Sequence, residues 1–154
     1  MKKQVFIIGL DDFNLTKLQR LPEAAECDFL PALKIEEIRS EKQLDMEALI
    51  NKACERIDQN GHIDAIVSYY DFPGTTLVPI LSEKYNLPGP TLESVMKCEH
   101  KYWSRLEQNK VIAHSIPTFK AFDPFDDNAY QQIEMIPPFW IKPIKSYRSY
   151  LAYR

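Results

Sequence analysis

A lysine near the end of the sequence, Lys142, has surroundings that could bind a phosphate. In the segment PPFWIKPIKS, strand alternation puts Lys142 on the same face as Trp140 and Ile144. A charge among apolar residues either meets an anion or reaches solvent, and a lysine can contact phosphate as a mobile point charge. Because Pro143 removes a backbone donor, an edge-strand lysine that opposes aggregation is an equally good interpretation.

A second group of cations lies on a predicted helix earlier in the chain. Lys97, Lys101 and Arg105 recur at every fourth residue of TLESVMKCEHKYWSRLEQNK, which predicts one charged helical face. Glu93 can pair with Lys97, so this row alone is typical of a solvated surface. Further along, residues 135–154 contain no Asp or Glu, and their charges are all positive.

Acidic and small residues follow two of the predicted strands. Parallel sheets bind ligands beyond the carboxyl ends of their strands, which points to the loops GLDDFN and YYDFPGTT. Asp11, Asp12 and Asp71 could hold a substrate amine or hydroxyl there, although an aspartate that opens a helix is more often its N-cap. Gly74 would let a ligand approach closely, but Pro73 and Gly74 together are first of all a turn.

Several common site motifs do not occur in the sequence. Neither GxGxxG nor GxxxxGK[ST] is found among its four glycines, and its three histidines have no triad-like neighbours. Cys27, Cys54 and Cys98 form no metal-binding pattern and are expected to be reduced and buried. The net charge of −3 argues against a nucleic-acid-binding body. No apolar run of about 18 residues and no signal-peptide cleavage site occurs, so we expect a cytoplasmic protein without a membrane partner.

The segments that position these residues alternate between strand and helix. The patterns predict strands in KQVFIIGL, ECDFLPALKI and HIDAIVSYYD, and helices in DDFNLTKLQRLP, SEKQLDMEALINKACERIDQNG and FPGTTLVPILSEKYN. This order implies an α/β fold with a small open parallel sheet and flanking helices. LPGP predicts a domain boundary near Pro90, separating residues 1–90 from 91–154. Beyond it, IPTFKAF, PFWIKP and SYLAYR are predicted strands, and DDNAYQQIEM a short helix capped by Asp126.

Taken together, these stretches resemble the ATP-grasp superfamily of carboxylate ligases, which includes biotin carboxylase and D-alanine ligase. The likeness covers residues 63–145 and rests on the order of a Pro-Gly loop, a helix with a lysine, SIPTF and PPFWIKP. It implies a Rossmann-like pre-ATP-grasp domain in residues 1–90, followed by a linker helix and the first strands of an incomplete ATP-binding lobe. By resemblance, Lys101 and Lys142 would contact ATP phosphates.

The sequence departs from the family pattern in two places. Family members carry a Gly/Ser-rich loop after the strand lysine, whereas IKSYRSY has no glycine, so Lys145, Ser146 and Arg148 are predicted to replace amide contacts to phosphate. Family members also bind Mg²⁺ through acidic and amide residues of a later lobe, and no acid follows Lys142. We therefore expect no metal site and no ligase turnover in residues 1–154 alone.

The sequence leaves three functions open. The first is the N-terminal part of an ATP-dependent ligase that joins a small-molecule carboxylate to an amine or related nucleophile through an acyl phosphate; Asp11, Asp71, Gly74 and Thr75 would contact substrate. The second is a non-catalytic α/β module whose tail IKSYRSYLAYR binds an anionic partner such as single-stranded nucleic acid. The third is a relative that keeps the fold for assembly and has lost nucleotide binding. An unpaired hairpin edge also predicts a homodimer through residues 139–154.

Overall fold

The chain folds into two compact units, Met1–Leu92 and Glu93–Arg154, in a computed structural model that describes residues 1–39, 44–146 and 151–154. The strands are β1 Lys3–Leu10, β2 Cys27–Lys34 and β3 Ala65–Ser68. The α-helices are α1 Asp12–Leu18, α2 Ile35–Ile38, α3 Met46–Asn60, α4 Gly74–Lys84, α5 Leu92–Glu99, α6 Lys101–Ile112 and α7 Ala129–Ile133. Short 3-10 helices occupy Pro22–Glu26 and Ala113–Ser115.

The first unit is built on a parallel sheet with the strand order β2-β1-β3. β1 pairs with both neighbours, and its Phe6 lies beside Leu30 of β2 and Ile66 of β3. Because the central strand is buried along most of its length, its sequence is a continuous apolar run without alternation. The predicted α/β fold with a small open parallel sheet is confirmed.

Helices α3 and α4 pack against the sheet to form the hydrophobic core. Leu49, Ala53 and Ile57 recur along one stripe of α3, and they are buried together with Phe6 of β1 and Leu77 of α4. Burying a leucine, isoleucine or phenylalanine contributes about 1.5–3 kcal/mol relative to leaving it exposed. The α-helical spacing of Leu49, Ala53 and Ile57 places these side chains on the face of α3 that packs against the core.

The ends of α3 follow from its capping residues. Asp45 stands at the N-cap and its carboxylate accepts a backbone hydrogen bond from the first turn at 3.0 Å. Gly61 ends the helix with a φ of 76°, as its position after an Asn predicted. The start predicted at Ser40 lies outside the described residues.

Cys54 of this helix is buried as expected, whereas Cys98 on α5 is exposed, so the expectation that all the cysteines are buried is wrong.

A largely buried ion pair joins α2 to α3. The Glu37 carboxylate of α2 accepts hydrogen bonds from Nη1 and Nη2 of Arg56 at 2.6 and 2.8 Å. The Nζ of Lys52 lies 2.6 Å from the same carboxylate. Arg56 also donates to the main-chain oxygen of Ala32 on β2 at 3.2 Å. The bonds from Arg56 lower the pKa of Glu37 to about 2. One carboxylate thus ties two helices to the sheet.

The second unit buries much less apolar surface than the first. Among its residues 93–146 and 151–154, Ile133 is the one hydrophobic side chain that is buried, while Phe125 and Ile136 are more than nine-tenths exposed. No residue of α5 or α6 is buried. Packing among the described residues of this unit therefore supplies little hydrophobic stabilisation.

The continuous helix predicted for TLESVMKCEHKYWSRLEQNK is wrong, because α5 and α6 are separated at His100. The backbone of His100 is extended, with ψ 105°, and its imidazole Nδ1 accepts the backbone N–H of Trp103 at 3.1 Å. The side chain thereby acts as an N-cap for α6. Lys97 lies on α5, whereas Lys101 and Arg105 lie on α6, so the three cations do not share one helical face.

The strands predicted for this unit are reduced to one antiparallel bridge. IPTFKAF, residues 116–122, is not a strand. PFWIKP and SYLAYR meet where Ile141 and Tyr153 exchange backbone hydrogen bonds of 2.7 and 2.9 Å. Pro138 and Pro143 flank Ile141 and lack the N–H groups that would extend the ladder.

The short helix α7 begins three residues later than its predicted cap. Asn128, not Asp126, precedes its first residue. The Asp126 carboxylate instead accepts hydrogen bonds from the Asn128 N–H at 2.8 Å and from Gln132 Nε2 at 2.6 Å. It stabilises the turn before α7, a common role for an aspartate.

Two serines of the first unit, the buried Ser82 and the half-buried Ser68, are expected to respond oppositely to alanine substitution. Ser82 Oγ on α4 has no hydrogen-bond partner in the described part of the chain, so Ser82→Ala should raise the free energy of unfolding by about 0.5–1 kcal/mol. Ser68 Oγ donates to Ile8 O at 3.0 Å and accepts from the Tyr70 N–H at 3.1 Å, so Ser68→Ala should lower it by about 1–2 kcal/mol. Urea unfolding measures both, and equal effects would contradict the assignment.

Candidate functional site

Two residues at the break between α5 and α6, Glu99 and Lys101, contact a segment more than forty positions later. The Lys101 N–H donates to Ile144 O at 2.8 Å. Its Nζ donates to the main-chain oxygen of Ser146 at 2.7 Å and lies 3.3 Å from Ser146 Oγ. Glu99 Oε2 lies 3.3 Å from Lys145 Nζ. We call Glu99, Lys101, Lys145 and Ser146 the lysine cluster.

The helix break explains why these side chains meet. His100 ends α5 and caps α6, so Lys101 becomes the first residue of the new helix while Glu99 is the last of the previous one. Residues on either side of the break can then contact the same segment, which two residues in the middle of one helix would do less readily. The cap is therefore a positioning element for the lysine cluster.

The cluster combines two lysines, one glutamate and a serine, and its ion pair is largely shielded from water. The side chain of Lys145 is 24% exposed and that of Glu99 is 12% exposed, so their charges are only partly screened by water. The cluster contains the ammonium groups of Lys101 and Lys145 and the hydroxyl of Ser146. Lysine ammonium and hydroxyl groups are suitable donors for phosphate oxygens.

Of the other two predicted phosphate-binding residues, Lys142 lies outside this cluster and Arg148 lies outside the described residues. Lys142 is exposed, and its Nζ lies over the ring of Trp140, 5.5 Å from the centroid. Trp140 is itself 62% exposed, so this lysine shares a face with the indole and reaches solvent. Arg148 lies outside the described residues, as do Tyr147 and Tyr150 of the predicted anion-binding tail. A role for these residues stays a prediction.

The loops at the carboxyl end of the sheet hold a second group of polar residues. In the strand order β2-β1-β3, the connections after β1 and β3 leave the sheet in opposite directions, so the crevice between these strands is a topological switch point. Open α/β sheets usually bind ligands at such a point. Asp11 follows β1 and caps α1, accepting the Asn14 N–H at 2.7 Å. This bond is the main cause of the lowered pKa of Asp11. The cap that the sequence favoured is present.

Tyr69 joins the two loops, and the sequence analysis missed it. Its hydroxyl donates to Gly9 O and accepts the Asp11 N–H at 3.2 Å. The ring is 46% exposed. The signal in the sequence was the pair of tyrosines directly after β3, at the edge where parallel strands present their loops.

The remaining candidates for substrate contact lie at the start of α4. The main-chain oxygen of Asp71 accepts the Gly74 N–H at 2.7 Å, which closes the predicted turn. A Cβ at Gly74 would overlap Ser68 Oγ, so close helix-to-strand packing accounts for this glycine. Thr75 is half-buried in the first turn of α4. A substrate role for these residues stays a prediction.

Within the described ranges, no three His, Cys, Asp or Glu side chains are grouped so that they could hold a metal ion. None of the helices in those ranges combines the length and apolar composition that a bilayer crossing needs.

The comparisons with known proteins point to one fold. No protein-family model matches the sequence, and no curated protein matches it. The crystal structure of an L-amino acid ligase from Bacillus licheniformis is similar to this chain, with a TM-score of 0.62 and 17% sequence identity over 94% of the chain. The chain spans 38% of the length of that ligase. The likeness supports the ATP-grasp fold class that the sequence predicted.

Proposed function

We propose that this chain is the N-terminal part of an ATP-dependent ligase that joins a carboxylate to an amine or related nucleophile. An L-amino acid is the carboxylate we favour, because the structurally similar protein is an L-amino acid ligase. In this proposal the first unit is a pre-ATP-grasp domain, and the second begins the ATP-binding lobe.

The contact of Lys101 with the segment that contains Lys145 and Ser146 carries the proposal. Lys101 lies more than forty residues before Lys145 and Ser146, and the sequence pattern predicts a phosphate contact for all three. Lys101 and Ser146 share a hydrogen bond of 2.7 Å, and Lys145 lies next in the chain. Their donors fit the phosphate groups of ATP, which are the part of the nucleotide that lysines bind.

In the proposed reaction, ATP supplies a phosphoryl group to a carboxylate oxygen and ADP leaves; an amine nitrogen then attacks the acyl carbon and inorganic phosphate leaves. Lys101 and Lys145 would bind and orient the phosphates through charge-assisted hydrogen bonds. Ser146 would donate its hydroxyl. Among the described residues, no three His, Cys, Asp or Glu side chains are grouped as a magnesium site would need. The proposal therefore gives no residue of this chain a metal-binding role.

A site of this kind is incomplete without a surface to cover it. The second unit leaves Trp140, Ile144 and Tyr153 more than half exposed around the segment that carries Lys142 and Lys145. An enzyme that transfers phosphoryl groups must exclude water from its nucleotide. We therefore propose that residues 1–154 alone bind phosphate but give no ligase turnover.

Lys101→Met is expected to weaken ATP binding by about tenfold, because it removes a charged hydrogen-bond donor to phosphate. Isothermal titration calorimetry of the chain with ATP at low ionic strength measures the effect. Lys110→Met is the matched control, since Lys110 lies on the same helix, is exposed and pairs with Glu107 at 2.8 Å. Equal affinities for the two variants would argue against the proposal.

A further inference from the structure

The lysine cluster contains a negative charge that phosphate binding does not require. Glu99 is 12% exposed, and its carboxylate lies 3.3 Å from Nζ of Lys145. A carboxylate with so little exposure is costly unless a cation lies beside it. In the structure, Lys145 therefore faces an anion that belongs to the protein.

We propose that Glu99 is an internal competitor for phosphate, holding Lys145 until a phosphate group takes its place. This inference rests on the proposed function of the lysine cluster. A carboxylate and a phosphate bind an ammonium group by the same charge-assisted hydrogen bonds. Two anions in one poorly screened site also repel each other, so a phosphate that approaches Lys145 is opposed by Glu99.

The surrounding contacts allow this exchange without unfolding the segment. The Lys101 N–H binds Ile144 O at 2.8 Å and its Nζ binds Ser146 O at 2.7 Å, and neither contact involves the Glu99 carboxylate. Residues 144–146 therefore keep two attachments when Lys145 changes its partner.

A second glutamate of α5, Glu93, forms an exposed surface ion pair. Glu93 pairs with Lys97 at 2.7 Å across one helical turn, and its side chain is 65% exposed. Such pairs are screened by water and contribute little. Glu93 is therefore the matched control for Glu99, since both are glutamates of α5 that pair with a lysine.

The test measures binding of inorganic tripolyphosphate to the whole chain by calorimetry. Glu99→Gln should bind it about five- to tenfold more tightly than the wild type, the usual size of coupling between two competing groups. Glu93→Gln should bind within about twofold of the wild type. Thermal unfolding of each variant is measured alongside, because a purely structural role would change stability without tightening binding.

Three outcomes separate this inference from the proposed function. If Glu99→Gln binds no more tightly than the wild type while Lys101→Met binds more weakly, the competition is overturned and the proposed function stands. If neither the wild type nor Glu99→Gln binds tripolyphosphate or ATP, both fall. If Glu99→Gln does not fold, Glu99→Asp replaces it; its shorter side chain withdraws the carboxylate from Lys145, so binding that is not tighter overturns the inference.

Discussion

Replacing Gly9 by alanine is expected to lower the free energy of unfolding by about 3 kcal/mol, the sum of backbone strain and overpacking. Gly9 lies near the end of β1 with a φ of 85°, in the left-handed region that disfavours a side chain. A Cβ there would come within 2.7 Å of Ile38 Cδ1 and 3.3 Å of Tyr70 Cβ. Ile38 is 2% exposed, so it has little room to move. Urea unfolding curves measure the loss.

Two further variants separate the causes of this effect. Gly61 has a similar φ of 76°, but nothing lies within 4 Å of the Cβ it would gain, so Gly61→Ala should cost only about 1 kcal/mol. Ile38→Val removes the overlapping Cδ1, so Gly9→Ala should cost about 1–2 kcal/mol less in that background than in the wild type. Equal costs at Gly9 and Gly61 would mean that contact with Ile38 contributes nothing.

The first unit could be predicted from the sequence because its signals are local and strong. β1 was predicted as Lys3–Leu10 and has those bounds, since a strand buried along most of its length is a continuous apolar run. In α3, helical spacing predicted a stripe of Leu44, Ala48, Leu49, Ala53 and Ile57. The last three are buried, whereas Ala48 is exposed and Leu44 precedes the helix. The Asn60-Gly61 ending predicted the C-cap. Each of these signals lies within one short segment, so it can be read without knowing that β1 pairs with the distant β3.

The second unit was predicted less well because its elements depend on partners that the sequence pattern does not reveal. IPTFKAF has the composition of a strand, yet a strand needs a neighbour with which to exchange hydrogen bonds, and it is not a strand. The break at His100 was missed because histidine is not among the residues that usually cap helices. The bridge between Ile141 and Tyr153 is what remains of the predicted hairpin.

The candidate site could be predicted in part. Lys101, Lys145 and Ser146 were selected from the sequence, and the structure brings them together. Glu99 was not selected, because a glutamate on a charged helix resembles any surface acid until its burial is known. Tyr69 was missed for another reason, since its contacts with Gly9 and Asp11 join loops nearly sixty residues apart and leave no local pattern.

Glu37 should make the stability of the protein depend on pH in the acid range. Arg56 is the main cause that lowers the pKa of Glu37 from 4.5 to about 2 in the folded chain. A group whose pKa is lower in the folded state stabilises it fully above the unfolded pKa, and this contribution is lost as the pH falls through the folded value. Between about pH 5 and pH 2, the free energy of unfolding should fall by about 2 kcal/mol through this group.

The Glu37→Gln variant isolates this contribution, because the other acids titrate equally in both proteins. Glutamine keeps the size of the side chain and an acceptor for Arg56 but cannot carry the charge. The wild type should be about 2 kcal/mol more stable than the variant at neutral pH, and the gap should close toward pH 2. Urea unfolding at several pH values measures the gap. A gap that stays constant into acid would mean that packing of Glu37, and not its charge, joins α2 to α3.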